Sequence, residues 1–411
     1  MLASLIPLFD KNMMTCAYSI FAQKKDYLKT PYAAGSGRFD GAGYVTGLEI
    51  VDSSGIDTLS GSREVFIEMN NISIFTDLDS QTKAPHDKLV LLMGSDIVPD
   101  ETHIKRLIEL KNKHYKLAIR NIPIDKFEDY RVILKLMDYI FLDHKKIKIQ
   151  VARVYFQTQF PNLKLVAVNV DSQEDYDMLT EGGGYSLYEG DFFRLPKTTG
   201  DRELAPLKMN YLSLLNLVNA PDFDLTKAAD IIQNDAALVV SLLEIVNHMA
   251  VNSEITSVRH AAAMLGQKDL KKWINTAVTK ELCADKPSEV TRISMLRAKF
   301  AENLSELYGI GGMSQELFLT GMFSVLDLML DKPMKEALSM IKIAKNIDEA
   351  LLERKGDLGE VLSFIEEYEK ASWQEVSRLM ILKDIEMDDV YQAYLDSLRW
   401  YRDLMGATSR K

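Results

Sequence analysis

The chain of 411 residues is short of several things, and each shortage excludes something. It has two cysteines, Cys16 and Cys283, far apart and without metal-ligand spacing. Neither a disulfide framework nor a cysteine-bound metal is expected, and a reducing compartment suits both thiols. Nowhere do about eighteen apolar residues run unbroken, which excludes a membrane-spanning helix by pattern. The opening MLASLIPLFDKNMM lacks the basic start and long apolar run of a signal peptide, so the cytoplasm is the expected location. Positive charge is also short: 49 Lys and Arg face 60 Asp and Glu, a net −11. Residues 1–200 carry 24 basic and 27 acidic side chains, residues 201–411 carry 25 and 33. An acidic second half is a poor partner for a phosphate backbone, so nucleic-acid binding is not expected.

What is present suits two globular domains, with 47% hydrophobic and 27% charged residues. In the first half, apolar runs at 17–21, 43–51, 64–69, 89–93, 115–119, 139–142, 164–170 and 185–188 read as strands. Amphipathic stretches at 102–113, 127–137 and 174–179 separate several of them. Strand and helix in alternation imply a parallel sheet with helical crossovers. Eight candidates fit a (β/α)8-like barrel, though periodicity alone leaves an open sheet equally available. The glycine-dense Gly35–Gly43, GSGRFDGAG, lacks the Walker Lys-Ser/Thr and reads as a loop. LPKTTGDRELAP at 195–206 is polar and bounded by proline, and it marks the domain boundary. The expected division is therefore residues 1–199 and 200–411.

The second half reads as helical throughout. Leu225, Ala228, Ala229 and Ile232 form one apolar face behind Asp224 as N-cap. Asp235 and Ser257 are placed to cap the next two helices, and Gly266 to end one. Such short helices need tertiary packing to persist. The core lies at 210–280, with longer C-terminal helices over 288–405. Val390, Tyr391, Tyr394, Leu395, Leu398 and Tyr401 stripe the last of them as a core face.

The run IIQNDAALVVSLLEIVN, then ITSVRHAAAMLG and LKKWI, resembles the HDOD domain of bacterial signalling proteins. SMLRAKFAENLSEL and LFLTGMFSVLDLMLDKPMKEAL resemble the C-terminal half of two-domain EAL–HDOD proteins. In the first half LIPLFDKNMMTCAYSIF, VFIEMNN, LVLLMGSDIVPDE, KLAIRNI, MDYIFLDHKKI, KLVAVNVDS and YSLYEGDFFRLP follow the EAL scaffold in order. The resemblance implies an EAL-like (β/α)8 barrel followed by an all-α HDOD domain.

EAL domains hydrolyse cyclic di-GMP with two divalent cations, which demand oxygen ligands. In this register the family's naming glutamate has become Ser19, and the leucine after it Phe21. The asparagine ligand is Glu68, the next glutamate Leu92, and the paired aspartates Arg120 and Asn121. The lysine is Phe141, the later glutamates are Val168 and Asp171, and the glutamine is Glu189. Asp143 alone matches. The resemblance with these replacements implies a degenerate site, no metal, no cofactor and no enzyme activity. True HD phosphohydrolases need a His and a His-Asp pair. Of six histidines, His86-Asp87 is the one such pair, in the turn APHDK, while His248 and His260 have no acidic neighbour. The family implies a protein-interaction scaffold linked to cyclic di-GMP signalling, its partner taken by the helical half. The alternative is a cyclic di-GMP receptor that binds without hydrolysis. EAL domains often pair, so a homodimer is a further expectation.

Overall fold

The computed structural model describes residues 1–24, 45–61, 63–194, 206–220, 222–249 and 255–409. The glycine-dense 35–43 segment and the boundary segment 195–205 lie outside the described residues. Eight strands alternate with helices in the first half: β1 (Leu2–Phe9), β2 (Thr15–Gln23), β3 (Glu64–Met69), β4 (Leu89–Met93), β5 (Lys116–Arg120), β6 (Tyr139–Asp143), β7 (Lys164–Val168) and β8 (Leu187–Tyr188). The helices among them are α1 (Thr46–Ser54), α2 (Ile56–Ser60), α3 (Glu101–Asn112), α4 (Arg131–Leu134), α5 (Ile149–Gln159) and α6 (Gln173–Gly182).

The strands close into a barrel in sequence order. From β2 to β8 each pair is parallel, while β1 runs antiparallel to both neighbours, β2 and β8. This settles the barrel against the open sheet, but one of the eight expected strands is different. Residues 46–51 of the 43–51 run belong to α1, because Gly47, Leu48, Ile50 and Val51 bury one helical face. A Cβ at Gly47 would lie 2.5 Å from Ile67 Cγ2, so glycine lets that helix sit directly on β3. The missing strand is β1, a continuous apolar run interrupted by Pro7, whose alternation is too weak to read as a strand. Inward side chains alternate with outward ones, and Leu8, Ala17, Phe66, Val90, Leu92, Ala118, Tyr139, Phe141, Val166, Val168 and Leu187 fill the barrel.

The second half is helical: α7 (Pro206–Val218), α8 (Leu225–Ile232), α9 (Ala236–Met249), α10 (Val258–Leu282), α11 (Ser288–Leu304), α12 (Ser314–Phe323), α13 (Leu326–Leu330), α14 (Met334–Ser339), α15 (Lys345–Glu353), α16 (Gly356–Glu369), α17 (Trp373–Leu382) and α18 (Met387–Ser409). Asp224 caps α8 by accepting from the N–H groups of Thr226 and Lys227. Asp235 does the same for Ala237 and Leu238, and Ser257 for His260. Gly266, at φ 73°, breaks α10 into two helical pieces. At Gly321 a Cβ would come within 2.3 Å of Arg297 O, so glycine permits the close backbone approach of α12 to α11.

Contacts sort the chain into two units that interleave. One is Met1–Leu195 with Glu306–Gly309 and Ser363–Arg402; the other is Pro196–Ser305, Ile310–Leu362 and Asp403–Lys411. The expected division at 199/200 assigned 363–402 to the helical half, whereas this segment groups with the barrel. Its aromatic anchors explain why. Tyr368 is fully buried and its hydroxyl accepts from Ala3 N at 3.3 Å. Ser4 Oγ donates to Glu369 O at 3.1 Å, and Arg194 pairs with the Glu369 carboxylate at 2.8 Å. The α18 stripe is a core face as far as Leu398, with Val390, Tyr391, Tyr394, Leu395 and Leu398 all buried, while Tyr401 beyond them is only half-buried. Among the described residues, no helix is long and apolar enough to cross a membrane.

Candidate functional site

In a barrel of this kind the ligand-handling end is where the parallel strands finish, because the following loops converge there. The inward positions at that end follow from strand alternation. Two residues beyond Phe66 on β3 stands Glu68, and two beyond Ala118 on β5 stands Arg120. Glu189 follows β8 directly, its N–H donating to Ala167 O at 2.8 Å and its carbonyl accepting from Val170 N at 3.2 Å.

These three residues meet. Arg120 Nη2 donates to Glu189 Oε1 at 3.3 Å, and Arg120 Nη1 lies 3.7 Å from Glu68 Oε1. The guanidinium carbon stands over two rings, 5.5 Å from the centroid of Phe21 and 5.3 Å from that of Phe141. The side chains of Arg120 and Glu189 are 16% and 12% exposed, and Ser19 is 1% exposed. Burial pushes the Glu189 carboxyl up, and the negative charge of Glu68 adds to this; Arg120 and the nearby Ser19 hydroxyl work against it without cancelling it. Arg120 Nη1, Glu189 Oε2 and Ser19 Oγ are buried yet make no hydrogen bond within ordinary geometry.

The other singled-out positions take separate places. Leu92, Phe141 and Val168 belong to the apolar filling of the barrel. Asn121 follows β5 in the left-handed region at φ 61°, where a short amide side chain is tolerated. Asp143 ends β6 and shapes the turn after it, accepting from Lys145 N at 3.0 Å and pairing with Lys146 at 3.1 Å. Partial burial raises its carboxyl, but Lys146, the Lys145 N–H and the Asn169 side chain outweigh that and hold it below the usual range. Asp171 pairs with Lys145 at 2.6 Å. Asn169 was not singled out in the sequence. Its φ of 60° and its carbonyl, 2.9 Å from His144 Nε2, make it part of the same rim.

Residues 204–355 match the HDOD domain. The chain is 26% identical over 326 residues to the cyclic di-GMP phosphodiesterase CdgJ of Vibrio cholerae serotype O1, covering 78% of this chain and 74% of that protein. It is 26% identical over 412 residues to the uncharacterized protein YuxH of Bacillus subtilis, covering 98% of each. Among solved structures it is similar to the PaMucR phosphodiesterase in complex with c-di-GMP, at 14% identity and a TM-score of 0.37, over 46% of this chain and 93% of that one. The match to CdgJ overturns one expectation. The replaced ligand positions imply no enzyme activity, yet a relative named as a phosphodiesterase aligns with most of the chain, so these replacements do not exclude activity. Along the chain, the segment that matches the HDOD domain follows the closed eight-stranded barrel.

Proposed function

We propose that this protein is a regulator in cyclic di-GMP signalling, with a barrel that handles the dinucleotide and a helical half that recruits a protein partner. The observation that supports the first part most is the alignment with CdgJ, which is named for cyclic di-GMP and covers 78% of this chain. The match of 204–355 to the HDOD domain supports the second. The cytoplasm is the proposed location, where an exposed thiol such as Cys16 stays reduced.

At the barrel mouth the donor set does not fit two divalent cations. Hydrocarbon from Leu92, Phe141 and Val168 occupies three positions, and Arg120 places a guanidinium among the remaining carboxylates. We therefore read Ser19, Glu68, Arg120 and Glu189 as a rebuilt site, and derive no step through metal. The Arg120 guanidinium favours a cyclic di-GMP receptor as the second reading, since a planar donor fork suits phosphate oxygens.

The test is calorimetric titration of the full chain with cyclic di-GMP, with and without magnesium, combined with chromatography of the nucleotide after incubation. Saturable binding or turnover supports the dinucleotide reading. Neither, in protein shown to be folded, sinks it. For the helical half, photo-crosslinking from exposed Met264 or Val240 should trap a discrete protein in cells; labelling no heavier than from a residue on α3 would overturn recruitment through that surface.

A further inference from the structure

We propose that Arg120 is an oxyanion-binding group, fit for a phosphoryl or pyrophosphoryl ligand, and that the Glu189 carboxylate occupies the ligand's place in the free protein. This rests on the barrel mouth being the ligand-handling end, as in the preceding reading, but not on which nucleotide is handled.

The resident pairing is a poor match on both sides. A charge-assisted N–H···O bond settles at about 2.7–2.9 Å, whereas Arg120 reaches Glu189 at 3.3 Å and Glu68 at 3.7 Å. A guanidinium offers five N–H donors in a planar fork, yet Nη1 makes no hydrogen bond. Glu189 is equally ill-served, with Oε2 buried and without a donor. Buried polar atoms in native proteins have partners, and each exception asks for an explanation. Three such atoms here come from three separate places in the barrel: Ser19 on β2, Arg120 on β5 and Glu189 after β8. An oxyanion with two free oxygens would engage Nη1 and Nη2 together and accept from the Ser19 hydroxyl.

The arrangement also explains how the place is kept and how it is released. Where Glu189 is ionised, two carboxylates against one guanidinium leave the group negative, which repels an incoming anion. The Glu189 backbone is held on both sides, by Ala167 O and by Val170 N, and Gly190 presses on Val170 so closely that a Cβ would stand 1.9 Å from its carbonyl oxygen. Exchange is therefore a rotation of the Glu189 side chain alone. Phe21 and Phe141 keep Arg120 in position while that happens.

Titration calorimetry of the full chain with pyrophosphate at fixed pH tests this. Glu189→Gln is expected to bind about tenfold or more tightly than the natural protein, the scale of removing one adverse charge contact. Glu68→Gln should give a smaller gain, because its contact is longer, and Arg120→Gln should abolish saturable binding. Should Glu189→Gln misfold by circular dichroism, Glu189→Ala makes the same comparison. Equal affinity with and without the Glu189 carboxylate overturns the proposal, as does unchanged binding in Arg120→Gln or no binding in any variant. Cyclic di-GMP giving no response while pyrophosphate behaves as described would sink the preceding reading and leave this one standing.

Discussion

The two ends of the barrel solve the same problem in opposite ways. At the end where the parallel strands begin, Tyr139 OH donates to Glu64 Oε2 at 2.7 Å, Lys116 pairs with Glu64 Oε1, and Lys164 Nζ lies 3.4 Å from the Tyr139 hydroxyl. Desolvation, with Glu64 accepting its hydrogen bond, drives the Tyr139 phenol far above its ordinary range, so it stays a neutral donor. At the end where the strands finish, an arginine and two glutamates stand at long distances with buried polar atoms unserved. Between them lies an apolar filling with Phe66 at its centre, edge-on to Tyr139 and Phe141. A closed polar network seals a structure; one with idle donors and acceptors is shaped for something that comes and goes.

The contrast can be broken or sharpened by substitution. The largest effect belongs to the filling that separates the ends. Phe66→Ala should destabilise the protein by about 3–5 kcal/mol in denaturant unfolding, since Phe66 is fully buried and leaves a cavity. A loss below about 1 kcal/mol would mean that the two ends are not held apart by that plug. Next comes Tyr139→Phe at the sealed end. It strands a Glu64 oxygen and should cost about 1–3 kcal/mol by the same measurement.

At the other end, Glu189→Gln should change the pH dependence more than the stability. Its carboxyl is raised in the folded protein, so its contribution is fully present below the ordinary carboxylate range and is lost as pH rises through the folded value. Relative to the natural protein, Glu189→Gln should therefore gain stability between about pH 4 and about pH 8; urea midpoints at both would read the gain, and a parallel pair of curves would remove the asymmetry. Smallest is Ser19→Ala, expected within about 0.5 kcal/mol of the natural protein because its hydroxyl nears Glu189 without a bond of ordinary geometry. A loss like that of Tyr139→Phe would show that the mouth is as sealed as the base.

Much of this was legible in the sequence, for reasons that differ by region. Helix starts at Asp224, Asp235 and Ser257 could be read because a cap is a local event, carried by one side chain and the next few N–H groups. The parallel strands were readable because short apolar runs alternate with amphipathic helices. β1 and α1 were exchanged because Leu2–Phe9 is apolar on both faces, whereas the 43–51 run has the composition of a strand and the burial of a helix. Positions 19, 68, 120 and 189 were singled out, yet that Arg120 joins Glu68 and Glu189 depends on strand register, which periodicity does not supply. The grouping of 363–402 with the barrel lay further out of reach, since Tyr368 reads as an ordinary core aromatic until its partner Ala3 is known.

That last contact has a consequence for the order of synthesis. Ala3 and Ser4 are made 365 positions before the groups that cover them, Tyr368 and Glu369. At about 5–20 residues per second the first strand waits roughly 20–70 s for its cover. The intervening helical segment emerges complete in that interval, so it has time to fold while the barrel is still open. Of the barrel's strands, β1 is made first and covered last, and a ribosome that stalls before position 368 would release a barrel with that strand bare.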